Sequence, residues 1–277
     1  MINAYPLEFH VGNFPITGFG IVMMLTFLMG GWILDRELRR LKFNTEYAGD
    51  MIFAAVIGGI VGAKLWFVVL NGGPLFARSG LVWYGGFFGG SLAVILNGWR
   101  RRVPMRWTAQ LVAPVLAACY ALGRVGCFLV GDDYGGPTSL PWGVRFPMGS
   151  PPSTAENLRL FHVQVADSVA QNTVMAVHPT QLYEVLIMLV VFAVLWRWRT
   201  ASRGTGWLFG AYLIFAGIER FFVEILRAKD DRLLGTFTVA QVASITIVLV
   251  GTALVARWSP MPAIAPGPWL GDNKTRA

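Results

Sequence analysis

The sequence AGDMIFAAVIGGIVGAKLWFVVL, from Ala48 to Leu70, has the length and composition of a helix that crosses a lipid bilayer. A spanning helix needs about 20 mostly apolar residues, and this stretch carries only two charged side chains, Asp50 and Lys64. Its run Gly58-Gly59-Ile-Val-Gly62 is typical of close helix packing, because small residues let another backbone approach. We therefore expect a tightly packed spanning helix here.

Six further stretches have the same apolar character. They run Pro15–Leu34, Leu81–Gly98, Thr108–Leu122, Thr180–Trp196, Gly206–Leu226 and Thr236–Arg257. Of the 277 residues only 14% are charged, and mean hydropathy is +0.55. Soluble globular proteins carry about 25% charged residues, so an ordinary cytosolic enzyme, a disordered chain and a charged nucleic-acid binder are excluded. The sequence predicts an all-α polytopic membrane protein with seven transmembrane helices.

Basic residues are divided unevenly between the two sides of these spans. The loops after the first, third and fifth spans, together with the tail, carry 14 of them, and the opposite loops carry seven over much longer sequence. Because basic residues collect on the cytoplasmic side, we expect the N-terminus outside and the C-terminus in the cytoplasm. The net charge of +8 then reflects topology, and no nucleic-acid partner is expected.

The chain is expected to form a single membrane domain over residues 1–258, followed by a flexible cytoplasmic tail over 259–277. No signal peptide is visible in the first ten residues, so the first span is expected to stay in place. A long extracytoplasmic segment, residues 123–179, is rich in glycine, proline and polar residues. Such long loops are often functional, and the alternative is a loose connector. The two cysteines and three histidines do not form a disulfide or metal pattern.

Span six ends in ionisable residues, which are costly at membrane depth unless they are paired or hydrated. Arg220, Glu224 and Arg227 follow at intervals of four and three residues, so they share one helix face, whereas Glu219 points elsewhere. This face suits a cationic pocket for an anionic lipid headgroup, in which Glu224 holds the guanidinium groups. The alternative is a structural ion pair, with Arg227 reaching towards headgroups.

Other ionisable residues fall at the same outer face. Arg124 is flanked by glycines and offers a planar fork of donors that suits phosphate. His178 begins span five and places a titratable imidazole at the membrane surface, where a structural, hydrogen-bonded histidine is the alternative. Together with Asp132 and Asp133, these groups favour a phospholipid substrate over an ion channel.

Four motifs, in order along the chain, resemble the prolipoprotein diacylglyceryl transferase family. They are WYGGFFGG (Trp83–Gly90), GRVGCFLVGDDYG (Gly123–Gly135), HPTQLYE (His178–Glu184) and ERFFVEILR (Glu219–Arg227). The resemblance implies a multi-pass enzyme of the bacterial inner membrane whose active site faces the periplasm. Its substrates would be phosphatidylglycerol, drawn from the lipid bilayer, and the lipobox cysteine of a prolipoprotein. A thioether would form and glycerol-1-phosphate would leave, without a metal or organic cofactor.

The resemblance also implies roles for individual residues. Arg124 would bind the lipid phosphate, and Arg220 would stabilise the charge that develops on the leaving group, where fixed cations lower the barrier. Glu224 would orient Arg220, and Gly135 would keep the headgroup loop tight. The remaining residues expected to bind substrate are Cys127, Asp132 and Arg227.

Three positions depart from the family pattern. Tyr84 replaces the histidine of a His-Gly-Gly segment, Phe19 replaces a tyrosine of the first span, and Cys127 replaces an asparagine. The nucleophile is a thiolate, and a tyrosine, whose ordinary pKa is about 10, is a poor base at neutral pH. We expect Tyr84 to act as a hydrogen-bonding group and His178 to act as the base. Asp132, Asp133 or a Tyr84 ionised by nearby arginines are the alternatives.

These departures keep other interpretations open. A covalent role for Cys127 competes with that of a buried structural thiol. A paralogue could use a different thiol or hydroxyl acceptor. The chain could also be a non-catalytic protein that binds or transports phospholipid, whereas the order of the motifs disfavours a seven-span receptor.

Overall fold

The computed structural model describes residues 2–12, 14–72, 82–228 and 237–271. Its helices are α1 Gly18–Leu41, α2 Glu46–Asn71, α3 Trp83–Arg100, α4 Met105–Val130, α5 Ala155–Leu160, α6 Thr180–Trp198, α7 Trp207–Glu224, α8 Val239–Trp258 and α9 Pro268–Gly271. Four short strands accompany them: β1 Ile2–Asn3, β2 Glu8–Val11, β3 Phe14–Thr17 and β4 Val144–Arg145. The described chain is therefore mostly helical, as the composition predicts.

Within the described ranges, five helices are long and apolar enough to cross a membrane: α1, α2, α4, α6 and α8. Each coincides with one of the seven predicted spans, and the chain is a polytopic helical membrane protein. The helices α3 and α7 occupy the other two positions but are not among the five. Five glycines and a polar end lower the hydropathy of α3, and α7 contains three charged residues. That all seven helices span the membrane stays a prediction.

Several residues used in the topology prediction lie outside the described residues. They are the predicted span starts Leu81 and Thr236, and the basic residues Arg78, Lys229, Arg232, Lys274 and Arg276.

The structure corrects the predicted boundaries of two spans. The first span begins at Gly18 and not at Pro15, because residues 14–17 form β3, which pairs antiparallel with β2. The fourth helix continues to Val130, well beyond the predicted end at Leu122. Glycines often end helices, but a Cβ on Gly126 would lie 3.2 Å from Phe19 Cδ2, so this glycine permits close helix packing. Residues 123–130 therefore belong to α4 and not to the following segment.

The chain divides into two compact units. The first contains Met1–Leu28, Ala113–Ala201 and Leu208–Arg257, and the second contains Met29–Val112, Ser202–Trp207 and Trp258–Ala277.

Within the second unit, α2 and α3 pack through glycine. A Cβ on Gly62 would lie 2.8 Å from the Cα of Gly89, so only glycine allows this approach. The close packing predicted from the glycine run of α2 is confirmed. Lys64, on the same helix, places its Nζ 5.2 Å from the centre of the Phe67 ring, an attractive cation–π arrangement.

The second unit also contains the described part of the C-terminal tail, which differs from the flexible tail predicted from residue 259. Leu270 is fully buried, and Trp107 Nε1 donates a hydrogen bond to the carbonyl of Ile264 at 3.0 Å. Trp269 meets Tyr47 edge-on, with ring centres 5.8 Å apart. Apolar side chains at 269 and 270 therefore fix residues 259–271.

In the first unit, residues 131–179 form a folded cap and not a loose connector. Its small core includes Tyr134, Phe146, Leu158 and Val177, all nearly inaccessible to solvent. Tyr134 stacks on Phe146 with ring centres 5.5 Å apart. The cap therefore gives the segment between α4 and α6 a packed shape that can position side chains.

Candidate active site

Arg124 lies in the last two turns of α4 and is held by two carboxylates. Its Nε forms an ion pair with Glu184 of α6, and its Nη1 lies 2.8 Å from Asp133 Oδ2. Its Nη2 donates a hydrogen bond of 3.3 Å to Tyr120 OH, one turn earlier on α4. Only 14% of the Arg124 side chain is exposed, so this guanidinium is a largely buried cation with fixed orientation.

The end of α7 supplies two more guanidinium groups around one buried carboxylate. Arg220 Nη1 lies 2.5 Å from Glu224 Oε2, and Arg227 Nε lies 3.9 Å from the same oxygen. Only 1% of the Glu224 side chain is exposed. The structure thus brings together the three residues whose spacing predicts a shared face, although Arg227 lies in a turn after α7 ends at Glu224.

Asp133 joins these two groups. Its Oδ2 accepts from Arg124 at 2.8 Å, and its Oδ1 accepts from Arg227 Nη2. Burial raises the pKa of this carboxyl, but the guanidinium groups of Arg227 and Arg124 outweigh burial and hold the pKa below its ordinary value. Asp133 is therefore an ionised bridge between two arginines from different helices.

Side chains at the start of α6 hold the backbone of the loop that carries Asp133. Thr180 Oγ1 donates to the carbonyl of Asp133 at 2.8 Å, and Gln181 Nε2 donates to the carbonyl of Asp132. A Cβ on Gly135 would lie 2.8 Å from His178 Cβ, so glycine is needed where the loop crosses α6. The GDDYG and HPTQ motifs are consequently locked together.

Asp132 and Cys127 lie beside this bridge. Burial raises the pKa of Asp132, and the neighbouring Asp133 carboxylate raises it further. Cys127 Sγ accepts a weak hydrogen bond from Arg124 Nη1 at 3.7 Å. Possible ligand atoms of Cys127, Asp132 and Asp133 lie within 4.8 Å of one another, but the two guanidinium groups on Asp133 oppose a metal cation there.

His178 lies next to the loop, at the entrance to α6. Its Nδ1 is 3.3 Å from Tyr183 OH, and Trp142 Nε1 donates to the same hydroxyl at 2.8 Å. Burial lowers the pKa of the His178 imidazole, so the ring is neutral at pH 7 and can accept a proton. The side chain that hydrogen-bonds to this ring is Tyr183. His178 is thus not held by Arg124, Arg220 or Arg227, which together with their carboxylates form the arginine cluster.

The two other departures from the family pattern, Phe19 and Tyr84, lie on different helices. Phe19, on α1, packs near Gly126, two residues from Arg124. Tyr84 lies on α3 in the second unit and is 59% exposed. Its expected role stays a prediction.

Three residues that lie with this cluster were not among the candidate site residues predicted from the sequence: Tyr120, Glu184 and Glu219. Glu219 is only 4% exposed, and its Oε1 has no hydrogen-bond partner among the described residues. Its carboxyl interacts electrostatically with Glu184, Arg124 and Arg220. Charged letters within an apolar span are the signal that could have identified both glutamates.

The fold and this site together define a polytopic membrane protein with a buried cluster of arginines and carboxylates, suited to an anionic substrate. The profile of the prolipoprotein diacylglyceryl transferase family matches residues 6–257. The chain therefore belongs to this family.

Individual relatives match over nearly their whole length. The chain is 29% identical to the phosphatidylglycerol–prolipoprotein diacylglyceryl transferase of Clostridium tetani, covering 89% of this chain and 94% of the relative. It is 30% identical to the enzymes of the same name from Paraburkholderia phymatum, over 91% and 92% of the two chains, and Geobacter sulfurreducens, over 90% and 93%.

Proposed function

We propose that this chain transfers the diacylglyceryl group of phosphatidylglycerol to a cysteine thiol of prolipoproteins. Family membership and the names of its relatives support this activity. The structural observation that carries it is the clustering of three arginines around the buried carboxylates of Glu184 and Glu224 and the bridging carboxylate of Asp133. Such fixed guanidinium groups suit a phosphate-bearing lipid.

The chemistry requires negative charge to be stabilised at one place. The cysteine sulfur forms a bond to a glycerol carbon of the lipid, and the bond from that carbon to the phosphate oxygen breaks. Glycerol-1-phosphate leaves with the electron pair, so its oxygen gains negative charge. Arg220, oriented by Glu224 at 2.5 Å, stabilises that charge, while Arg124 binds the phosphate.

The remaining residues have supporting roles in this proposal. His178 accepts the proton of the thiol, and Gly135 keeps the loop close to α6. Tyr84 is a hydrogen-bonding group on the grounds of its motif position. Further contacts to the substrates come from Cys127, Asp132 and Arg227.

We further propose seven transmembrane helices in one membrane domain over residues 1–258. The N-terminus lies outside and the C-terminus in the cytoplasm, as the distribution of basic residues favours. The protein then resides in the bacterial inner membrane with its active site on the periplasmic side. There it meets the lipobox cysteine that follows the signal helix of a prolipoprotein.

The test is a reconstituted transfer reaction. The purified protein is mixed with phosphatidylglycerol vesicles and a lipobox-cysteine peptide, and both lipidated peptide and released glycerol phosphate are measured. Arg124→Ala and Arg220→Ala should each reduce the rate by about 100-fold or more, the usual loss when a group that stabilises developing charge is removed. Arg145→Ala, at an exposed position of the cap, should leave the rate unchanged.

Other results would redirect the proposal. Glycerol phosphate without lipidated peptide would indicate hydrolysis or a different acceptor. Lipid binding without either product would indicate a non-catalytic protein. Loss of folded protein in both arginine variants, as judged by size-exclusion chromatography, would indicate a structural role for the cluster.

A further inference from the structure

Asp133 occupies an unusual position in the arginine cluster. Each of its carboxylate oxygens is engaged by a different guanidinium, Oδ2 by Arg124 and Oδ1 by Arg227. Its side chain is 40% exposed, whereas those of Arg124 and Arg227 are 14% and 13% exposed. Asp133 is therefore the solvent-facing member of the bridge, and it covers donors that would otherwise face an incoming anion.

The ion pairs of the cluster are matched in number. Glu184 pairs with Arg124, and Glu224 pairs with Arg220 and lies near Arg227. Asp133 supplies the third carboxylate for the three arginines. Among the described residues, neither Asp132 nor Glu219 forms an ion pair with them. Removing Asp133 from its bridge thus uncovers one positive charge, which one phosphodiester, a monoanion, would neutralise.

We propose that Asp133 is a built-in substitute for the phosphate of the lipid donor, bound by Arg124 and Arg227 until that phosphate displaces it. This proposal rests on the proposed function, because it places the donor phosphate between the same two arginines. Asp133 then sets the affinity for phosphate-bearing lipid and is not needed for the chemical step.

Displacement is physically reasonable because it exchanges one singly charged anion for another. A carboxylate and a phosphodiester both accept two hydrogen bonds from guanidinium groups. The released Asp133 side chain is already partly solvated, so its return to water is not opposed by full burial. Each arginine keeps a second carboxylate nearby, so the cluster persists during the exchange.

The lowered pKa of Asp133 bears on when this competition operates. A carboxyl that stays ionised throughout the physiological range competes at every such pH. The competition is therefore constitutive and is not a pH switch.

The test compares Asp133→Asn with the wild-type protein. Asparagine tolerates the left-handed backbone at this position, where φ is +56°. It carries no charge, and its amide nitrogen replaces one of the two oxygens that the arginines engage, so it cannot reproduce the bridge. The apparent Kd for phosphatidylglycerol vesicles and its KM in transfer should both fall, roughly tenfold if Asp133 occupies the arginines in about nine molecules of ten. The kcat should stay close to the wild-type value.

Two further measurements separate the source of the anion and guard against misfolding. Inorganic phosphate should inhibit binding of the vesicles more strongly in Asp133→Asn than in wild type, and vesicles of neutral diacylglycerol should bind both proteins equally. Asp133→Gly, which also permits a positive φ, should reproduce the asparagine variant. Asp167→Asn, an equal charge change at an exposed position of the cap, should behave as wild type.

The outcomes distinguish this proposal from the proposed function. Tighter lipid binding in Asp133→Asn without any transfer by the wild type would support the substitute role and overturn the activity. Normal transfer by the wild type with unchanged or weaker lipid binding in both Asp133 variants would overturn the substitute role alone. If the Asp133 substitutions tighten the binding of phosphatidylglycerol vesicles more than the binding of inorganic phosphate, the site is assigned to a lipid headgroup. If they tighten the binding of inorganic phosphate more, the site is assigned to free phosphate.

Discussion

His178 is expected to lose its function in acid if it accepts the thiol proton. Its pKa lies below the ordinary value because burial disfavours the charged imidazolium. The neutral ring is then available at pH 7, and kcat/KM should fall only below about pH 6.5. His178→Gln should remove this acid limb and lower the rate by about 100-fold or more, as expected for a general base. The measurement is the pH profile of kcat/KM with both products followed.

His10→Gln, an exposed position on β2, serves as the matched control and should keep the wild-type profile. If His178→Gln retains both the rate and the acid limb, another group accepts the proton, and Asp132 is the alternative to test first. The raised pKa of Asp132 would then place the limb above that of an ordinary aspartate.

At single residues, sequence spacing could predict contacts within one helix but not between helices. The interval from Arg220 to Glu224 placed both on one face, and they form an ion pair. The pairing of Arg124 with Glu184 joins α4 to α6, and no spacing rule reports such a contact. In the sequence, nothing distinguishes Asp133 from its acidic neighbour Asp132. Its positive φ and its bridge between two arginines are visible only in the structure.

The packing of α2 on α3 should depend on individual glycines. Gly62→Ala would place a methyl group 2.8 Å from the Cα of Gly89, so we expect a loss of about 1–3 kcal/mol, typical of overpacking. Gly49→Ala, on the same helix, would meet nothing within 4 Å. It should be neutral or stabilise by up to about 1 kcal/mol through helix propensity.

Thermal unfolding in detergent, followed by far-ultraviolet circular dichroism, checks this difference. Equal unfolding temperatures for the two variants would show that the glycine contact does not determine stability.

At the level of helices, apolar runs predicted their positions well and their ends poorly. The hairpin of β2 and β3 precedes α1, yet residues 15–17 are apolar enough to resemble the start of a span. In α4, the predicted end at Leu122 is wrong, because the helix continues through Gly123 and Gly126, and Gly126 accommodates Phe19. Glycine has both uses, and only the neighbouring helix determines which one applies.

For the molecule as a whole, the proposed orientation makes a direct prediction about accessibility. In a variant with Cys119 and Cys127 replaced by alanine, Asp167→Cys should react with a membrane-impermeant thiol reagent in intact spheroplasts. Arg102→Cys, also at an exposed position, should react only after the membrane is permeabilised. Labelling of Arg102→Cys in intact spheroplasts would contradict the orientation.

The charge distribution could predict an orientation but not the compact units. The apolar residues Trp269 and Leu270 follow a proline-rich stretch that resembles a loose tail, and they pack within the second unit. Burial over so short a segment depends on a receiving surface assembled from distant parts of the chain. Composition alone contains no information about that surface.

The bonds from Thr180 and Gln181 to the loop reach its backbone carbonyls and not its side chains. The loop can therefore exchange residues 132 and 133 during evolution without losing its course, provided that position 133 accepts a positive φ. Single substitutions there would change donor affinity under the proposed role of Asp133, while Arg124 and Arg227 keep their second carboxylate partners. In this sense the course of the loop and the affinity for the donor are set by different atoms.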